Sequence, residues 1–334
     1  MPWTTLLPLL LLTVPAGSPT APAHPAPLAH TFSIVARDPQ TGELGVAVQS
    51  HYFSVGPVVP WAEAGVGAVA TQSLVLVDYG PNGLGLMRSG LTARQALDSL
   101  LRADAHKEGR QVAMVDAKGN VAAYTGRSCI PDAGHHTGEQ YSVQANLMAN
   151  DRVWPAMAKA YESATGDLAT RLLAALDAAQ AAGGDIRGRQ SAAIIVVKAQ
   201  PSGKPWADRL FDLRVEDSPE PLRELRRLVR LRRAYNLEDA GDNAIAEKRP
   251  DEAMRDYEEA MKLAPDVVEL QFWAAVSMYT NGRRPEALPL FRQVFAREAR
   301  WVPLVARLPK AGLFPDDPGQ VAEVQAQATK GAKW

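Results

Sequence analysis

The periodicity of the chain changes once, between Pro201 and Pro221, and that change constrains the fold more than any other feature. Before it, short runs of β-branched and aromatic residues alternate with turn residues; after it, apolar residues recur at helical spacing. At 334 residues the chain can build two units, each with its own core. In the first, Thr31–Arg37 (TFSIVAR) reads as a strand, a Pro-Gln-Thr-Gly turn follows Asp38, and residues 44–48 (LGVAV) form the returning strand of a hairpin. A third strand is expected over 66–73. Thr92 and Gln95 have capping-box spacing ahead of a helix carrying Ala96, Leu97, Leu100 and Leu101. Residues 111–115 and 121–125 flank an Asp-Ala-Lys-Gly-Asn turn, a second hairpin. Helices follow at about 151–164 and 167–182, with Asp151 and Asp167 as expected N-caps and Gly183-Gly184 as the stop. Residues 191–199 (SAAIIVVKA) are apolar almost throughout, which suits a central strand. The order β-β-β-α-β-β-α-α-β suits an α+β fold with antiparallel sheets and helices outside them.

From Leu222 a repeat of period 34 appears: Gly241 recurs as Ala275, Ala253 as Ala287, and Tyr257 as Phe291. The run Ala244, Ala253, Tyr257, Ala260, Pro265 resembles a tetratricopeptide repeat, and Trp273, Gly282, Ala287, Phe291 its neighbour. Small residues belong where the helices cross closely and aromatics between repeats. Two repeats are few for a stable solenoid, so a helix at 220–236 and the segment 301–314 are expected to cap them. Arginines 226, 227, 230, 232 and 233 read as a solvated face beside Glu220 and Glu224. The expected units are 1–29 as signal peptide and Pro-rich tether, 30–205 as the first domain and 218–334 as the helical one.

The leader reading rests on order. Leu6 to Val14 is nearly all apolar, too short to span a bilayer, and is followed by small residues with an A-x-A-like site at Ala21-Pro22-Ala23. This predicts export, periplasmic or extracellular, with no transmembrane span. The 36 basic and 37 acidic residues leave a net charge of −1, which offers nucleic acid no electrostatic footing. Cys129 is the sole cysteine, so no intrachain disulfide forms; it reads more readily as a small buried residue than as a nucleophile.

No G-x-S-x-G elbow, P-loop or H-E-x-x-H motif occurs. The glycine cluster Gly80 to Gly85 is read as a loop ahead of a helix, where it would either cradle an anion or simply turn. His51, His135 and His136 with Asp132 are a weak set for a metal, because His135 and His136 are adjacent and point apart on extended chain. No metal or cofactor is therefore assigned. His135 suits acid–base chemistry or substrate hydrogen bonding better. Thr31 offers more, since it opens a strand directly after a disposable segment. A free α-amine, with an ordinary pKa near 8, can take the proton of its own hydroxyl and make an amide-cleaving centre without a histidine.

The stretches TFSIVARDPQTGELGVAVQS, VVPWAEAGVGAVATQS, YGPNGLGLMRSG, RQVAMVDAKGNVAAYTG and CIPDAGHHTGEQYSVQANLM resemble the prokaryotic domain-of-unknown-function family 1028 from Thr31 to about Lys198. That family is assigned to the N-terminal-nucleophile hydrolases. The resemblance implies a four-layer αββα sandwich in which Thr31 is nucleophile and base. It leaves the substrate open beyond a small amide or peptide-like compound. Asn146 and Gln72 are the expected side-chain amides of an oxyanion hole, with Ser33, Arg37 and Asp38 in support and Ser50, Ser73 and His135 behind them. The helical tail resembles repeat or peptidoglycan-binding extensions, so its partner is expected to be a protein or cell-wall glycan. The alternative is a non-catalytic scaffold on the same fold. One departure matters: His30 precedes Thr31, and signal-peptidase cleavage after Ala29 would leave it in place, requiring self-cleavage or trimming.

Overall fold

A computed structural model describes residues 28–328; of the signal peptide and tether expected over 1–29, residues 1–27 lie outside them, while Leu28 and Ala29 are not tether but a short strand on the first unit. The first unit contains eleven strands: β1 (Leu28–Ala29), β2 (Thr31–Arg37), β3 (Leu44–Ser50), β4 (Pro60–Glu63), β5 (Gly67–Leu74), β6 (Arg110–Asp116), β7 (Val121–Thr125), β8 (Gly134–Gly138), β9 (Tyr141–Ala145), β10 (Ser191–Val197) and β11 (Arg209–Val215). They form two sheets, ordered β1-β5-β6-β7 and β11-β10-β3-β2-β9-β8, with every pairing antiparallel. β4 shares with β1 one edge of β5, β4 against residues 67–70 and β1 against Ser73 and Leu74.

Alternation along the strands sorts the side chains. Val35, Val46, Val48, Ala68, Ala70, Ala113, Val115, Ala193 and Ile195 meet in one apolar cluster drawn from both sheets. Their neighbours Phe32, Ile34, Ala47, Val143 and Ile194 turn to the opposite face and pack on α3 (Val153–Ser163) and α4 (Leu168–Ala181). Val69, Val112 and Met114 pack on α1 (Tyr79–Arg88) and α2 (Ala93–Ala103). Strands covered on both faces explain the continuous apolar run of β10.

Local signals behave as their chemistry predicts at α2, where Thr92 and Gln95 close a full capping box, and at α4, where the Asp167 side chain accepts from Thr170 N–H. The expected order lacks β4 and the β8–β9 hairpin, and the local signals differ in three further places. Gly80, Gly83 and Gly85 are not a loop but lie inside α1. A side chain at Gly80 would enter the Trp61 indole, and one at Gly83 would sit 2.8 Å from Met114, so these glycines permit close helix–sheet packing. Asp151 does not cap α3; Asn150 Oδ1 accepts Arg152 N–H at the turn before it. The first unit also does not end at 205, because β11 completes the sheet and Leu222, Leu225 and Val229 of α5 (Pro221–Ala246) join its core.

That 26-residue helix, roughly 39 Å long, serves both units. Its second half packs on α6 (Pro250–Leu263), and α7 (Val268–Thr280) and α8 (Arg284–Arg297) follow. Gly241 meets the Tyr257 ring, where a Cβ would fall 2.5 Å away, so the small residue of the repeat is there for a close crossing. Phe272, Phe291 and Phe295 fill the repeat core together with Val302, Val305, Leu308, Phe314 and Val324. The 301–314 segment and α10 (Pro318–Gln325), beyond the short α9 (Val302–Val305), thus close the end of the repeats. The arginine face of α5 is partly a joint: Arg226 bonds Asp177 and Arg233 bonds Asp167, both on or capping α4, while Arg227 stays with Glu224. Among the described residues no helix is long and apolar enough to cross a membrane.

Candidate active site

At one end of the inter-sheet space the inward residues stop being apolar. Thr31 and Ser33 on β2, Ser50 on β3, Gln72 on β5, Gln111 on β6, and Ser142 and Gln144 on β9, with Asn146 just past it, are all wholly buried. Buried polar groups are tolerated only when paired, and nearly all of these are. Gln111 is the node: its Oε1 accepts from Gln72 Nε2 at 2.7 Å and Asn146 Nδ2 at 2.9 Å. Its Nε2 donates to Ala145 O and Thr125 Oγ1, both at 2.9 Å. Ser33 Oγ donates to Gln72 Oε1 and receives Gln144 Nε2, each at 2.6 Å. Gln72 Nε2 and the Asn146 backbone N–H both donate to Thr31 O at 3.1 Å. The Gln72 side-chain amide and the Asn146 backbone N–H thus clamp the Thr31 carbonyl, whereas the Asn146 side-chain amide is spent on Gln111; the two residues expected to supply oxyanion-hole amides hold the Thr31 backbone instead.

The Thr31 hydroxyl itself faces the residues before it. Oγ1 lies 2.8 Å from Ala29 O and 3.1 Å from Ser50 Oγ; its single proton can serve one of them at a time. Ser50 Oγ in turn donates to His30 O at 2.6 Å. Arg187 Nη2 donates to the same carbonyl at 2.8 Å. Asp185, almost fully buried, fixes that guanidinium through Nε at 3.0 Å and Nη2 at 2.7 Å. The carbonyl of the His30–Thr31 bond thus carries a hydroxyl and a cation, the donors that stabilise a developing oxyanion. The His30 ring, 2% exposed, donates Nδ1–H to Asn146 Oδ1 at 2.7 Å, an orientation set by the Asn146 amide donating to Gln111. Its Nε2 is then an acceptor with no partner, and burial lowers the ring pKa against the opposing pull of the Asn146 bond.

The other expected residues lie elsewhere. Arg37 and Asp38 sit at the far end of β2, ~20 Å along the strand from Thr31. Arg37 donates to Ala117 O and Gln140 Oε1, and Asp38 holds its own turn and pairs with Arg171. His135 is exposed on β8 but joins the network's rim through Thr125 Oγ1, 2.8 Å from its Nδ1. Though the residue reaches the surface, protein atoms around its ring strip part of its hydration, and this, with Arg94 and His136 near it, lowers its pKa. Ser73 pairs with Ala29 across β1 and β5, and its buried Oγ lacks a partner. Cys129 is buried, which pushes its thiol pKa up, against the needs of a nucleophile. His51 offers its backbone N–H to Asp185, and no three His, Cys, Asp or Glu side chains gather as a metal-holding group among the described residues. Motif content does not single out Gln111 or Gln144, and Arg187 lies in a loop without any signal. The signal that singles out the strand residues is a polar residue at an inward position in strands otherwise apolar: VAVQS, VATQS, RQVAM, YSVQAN.

Comparison with known proteins covers both units. The model of the family of unknown function DUF1028 matches residues 31–225, beginning at Thr31. A tetratricopeptide-repeat model matches 244–309, a class of repeat that points to protein–protein contact. The crystal structure of a Silicibacter pomeroyi protein of the same family is similar, with a TM-score of 0.54 and 31% identity over 60% of this chain and 88% of that one. No curated protein shows significant similarity. With more than half its length matched by one family model, the chain belongs to the family of unknown function DUF1028.

Proposed function

We propose that the chain is an exported precursor of an amide hydrolase whose nucleophile is Thr31 once the residues before it are gone. The observation that carries this reading is the pair of donors, Ser50 Oγ and Arg187 Nη2, on the carbonyl of the bond that must break. Two helical layers enclosing two face-to-face sheets support an αββα sandwich of the N-terminal-nucleophile type, which would have its reactive residue at a strand start between the sheets.

Exposure of Thr31 needs cleavage of the His30–Thr31 peptide. The relay Thr31 Oγ–H, Ser50 Oγ–H, His30 C=O supports self-cleavage. Oγ adds to the His30 carbonyl carbon, the C–N bond breaks, and the displaced proton ends on the new α-amine. Water then hydrolyses the ester, leaving a carboxylate on His30. In the mature chain the same steps would run on an external amide: Oγ attacks, the α-amine takes its proton and delivers it to the departing amine, and water resolves the ester. Ser50 and Arg187 hold the oxyanion each time. The helical repeats would dock a protein partner.

The test is the mature N-terminus of protein secreted by its native host, read by intact mass. A chain starting at Thr31 supports the reading, and its Thr31→Ala variant should then lose any amidase activity while staying folded. A chain that persistently starts upstream excludes it.

A further inference from the structure

Resting on the Thr31 reading, we infer that the cleft now holding Leu28-Ala29-His30 is the acyl-group subsite of the mature enzyme, and that its ligand is an extended peptide acyl group with a small residue before a hydrogen-bonding one. The chemistry identifies the two. Attack of Thr31 Oγ on the His30 carbonyl yields an ester whose acyl part is the leader. That ester is the same species as the acyl-enzyme formed from a substrate ending in the same residues. A cleft that seats one seats the other.

The seat has definite features. β1 adds to the edge of β5 beside β4, Leu28 opposite Leu74 and Ala29 opposite Ser73, so the ligand binds by strand addition. Ala29 is wholly buried and its methyl belongs to the inter-sheet core, which leaves no space for a larger side chain. Leu28 is 53% exposed, so the position before it is read loosely. His30 is read by Asn146 Oδ1, whose amide Gln111 holds in place. One fully buried polar atom of the seated segment lacks a partner there, His30 Nε2, so this segment fills the cleft without satisfying every group in it.

The experiment uses the chain starting at Thr31 with Thr31→Ala, in which every strand but β1 keeps its partners. Titration calorimetry with acetyl-Leu-Ala-His should show binding. Acetyl-Leu-Trp-His should bind at least tenfold more weakly because of the closed Ala29 position. Acetyl-Leu-Ala-Leu should also lose about tenfold, because it leaves Asn146 Oδ1 unpaired. Equal affinity for all three, or none for any, overturns the inference. In parallel, the Thr31 chain is offered acetyl-Leu-Ala-His-amide. Discriminating binding without turnover retains the cleft and removes the nucleophile, while turnover without discrimination removes the cleft. As a check on the full chain, Ala29→Trp should unseat the leader, so that amides 28–30 lose hydrogen-exchange protection while β2 keeps its own. Unchanged protection there contradicts the closed subsite.

Discussion

Replacing Gln111 by leucine tests whether the polar end of the inter-sheet space is held together as described. The side chain is fully buried and makes two contacts as acceptor and three as donor, the longest to Gly134 O at 3.2 Å. Leucine keeps the volume and removes all five. Gln72 Nε2 retains Thr31 O at 3.1 Å and is largely provided for. Thr125 Oγ1 retains His135. Asn146 Nδ2 keeps only a 3.5 Å approach to Thr31 O, and Ala145 O loses a side-chain donor. One amide group and part of a carbonyl are thus stranded in a dry interior, at about 1–3 kcal/mol per group. The expected loss is about 2–4 kcal/mol, large against the ~5–15 kcal/mol that holds a typical domain. Urea unfolding followed by tryptophan fluorescence, with the slope unchanged and the midpoint lowered, measures it. Gln72→Leu in the same background should be less than additive, since the two share a bond. A loss below about 1 kcal/mol would mean that water or a shifted Asn146 substitutes for the node, and the rigid clamp on Thr31 O would have to be given up.

Two further outcomes probe the helical unit and its joint. Glu238 lies buried on α5 facing Asp242, Glu269 and Asp239, and burial first, then these charges, push its pKa up to about 7. The native state therefore holds its proton more tightly than the unfolded chain, so this group's contribution is intact below about pH 4.5 and disappears as pH rises through about 7. Glu238→Gln should leave stability unchanged at pH 5 and raise it by about 1–3 kcal/mol at pH 8, and a variant equally stable at both pH values relative to wild type refutes the placement. Asp167 both caps α4 and receives Arg233 of α5. Asp167→Ala should cost about 1–2 kcal/mol, most of it from the cap, because a half-exposed ion pair contributes little. Arg233→Ala should cost under 1 kcal/mol by thermal denaturation, and the opposite order would show the joint to be electrostatic.

Much of the fold was legible because its signals are local. The capping box at Thr92, the Asp167 cap, the Gly183-Gly184 stop and the hairpin turns depend on neighbours within a few residues. The repeat at 34 residues was legible because Gly241 and Tyr257 meet across one helix pair. What was illegible depends on distant partners. The glycines of α1 look like a loop until Trp61 and Met114, from another strand and another hairpin, come against them. β11 reads as exit linker until β10 offers it an edge. Gln72 and Asn146 could be named from their places near strand ends, and Ser33, Arg37 and Asp38 from the first hairpin around Thr31, yet Arg37 and Asp38 lie at the other end of that strand. Position on β2 alone does not tell which end is chemical. Arg187 follows the second glycine of a loop with no motif, and only Asp185 and the His30 carbonyl give it meaning.

The hold of residues 28–30 on the site should itself depend on pH, and the direction follows from the surroundings of the His30 ring. Seated, His30 is neutral, with its Nδ1–H spent on Asn146 and its Nε2 enclosed. A second proton would place a cation in that enclosure beside Arg187, and the nearby Asp185 only partly offsets this because it is already committed to the guanidinium. Burial thus lowers the seated pKa below the unperturbed value near 6.5. A histidine that binds its proton better when released contributes full stability above about pH 6.5. It loses that contribution as pH falls toward the seated pKa, with the released population rising up to tenfold per pH unit in between. Hydrogen exchange at residues 28–30, corrected for its intrinsic pH dependence, should therefore show protection at pH 8 that declines in the acid range while β2 remains protected. His30→Gln keeps a donor for Asn146 but cannot titrate, so its protection should be flat across the same range. If the glutamine variant declines as the wild type does, the release belongs to another group. If NMR titration places the His30 pKa at or above 6.5, the ring is not enclosed as described, and the neutral, tightly seated His30 is wrong.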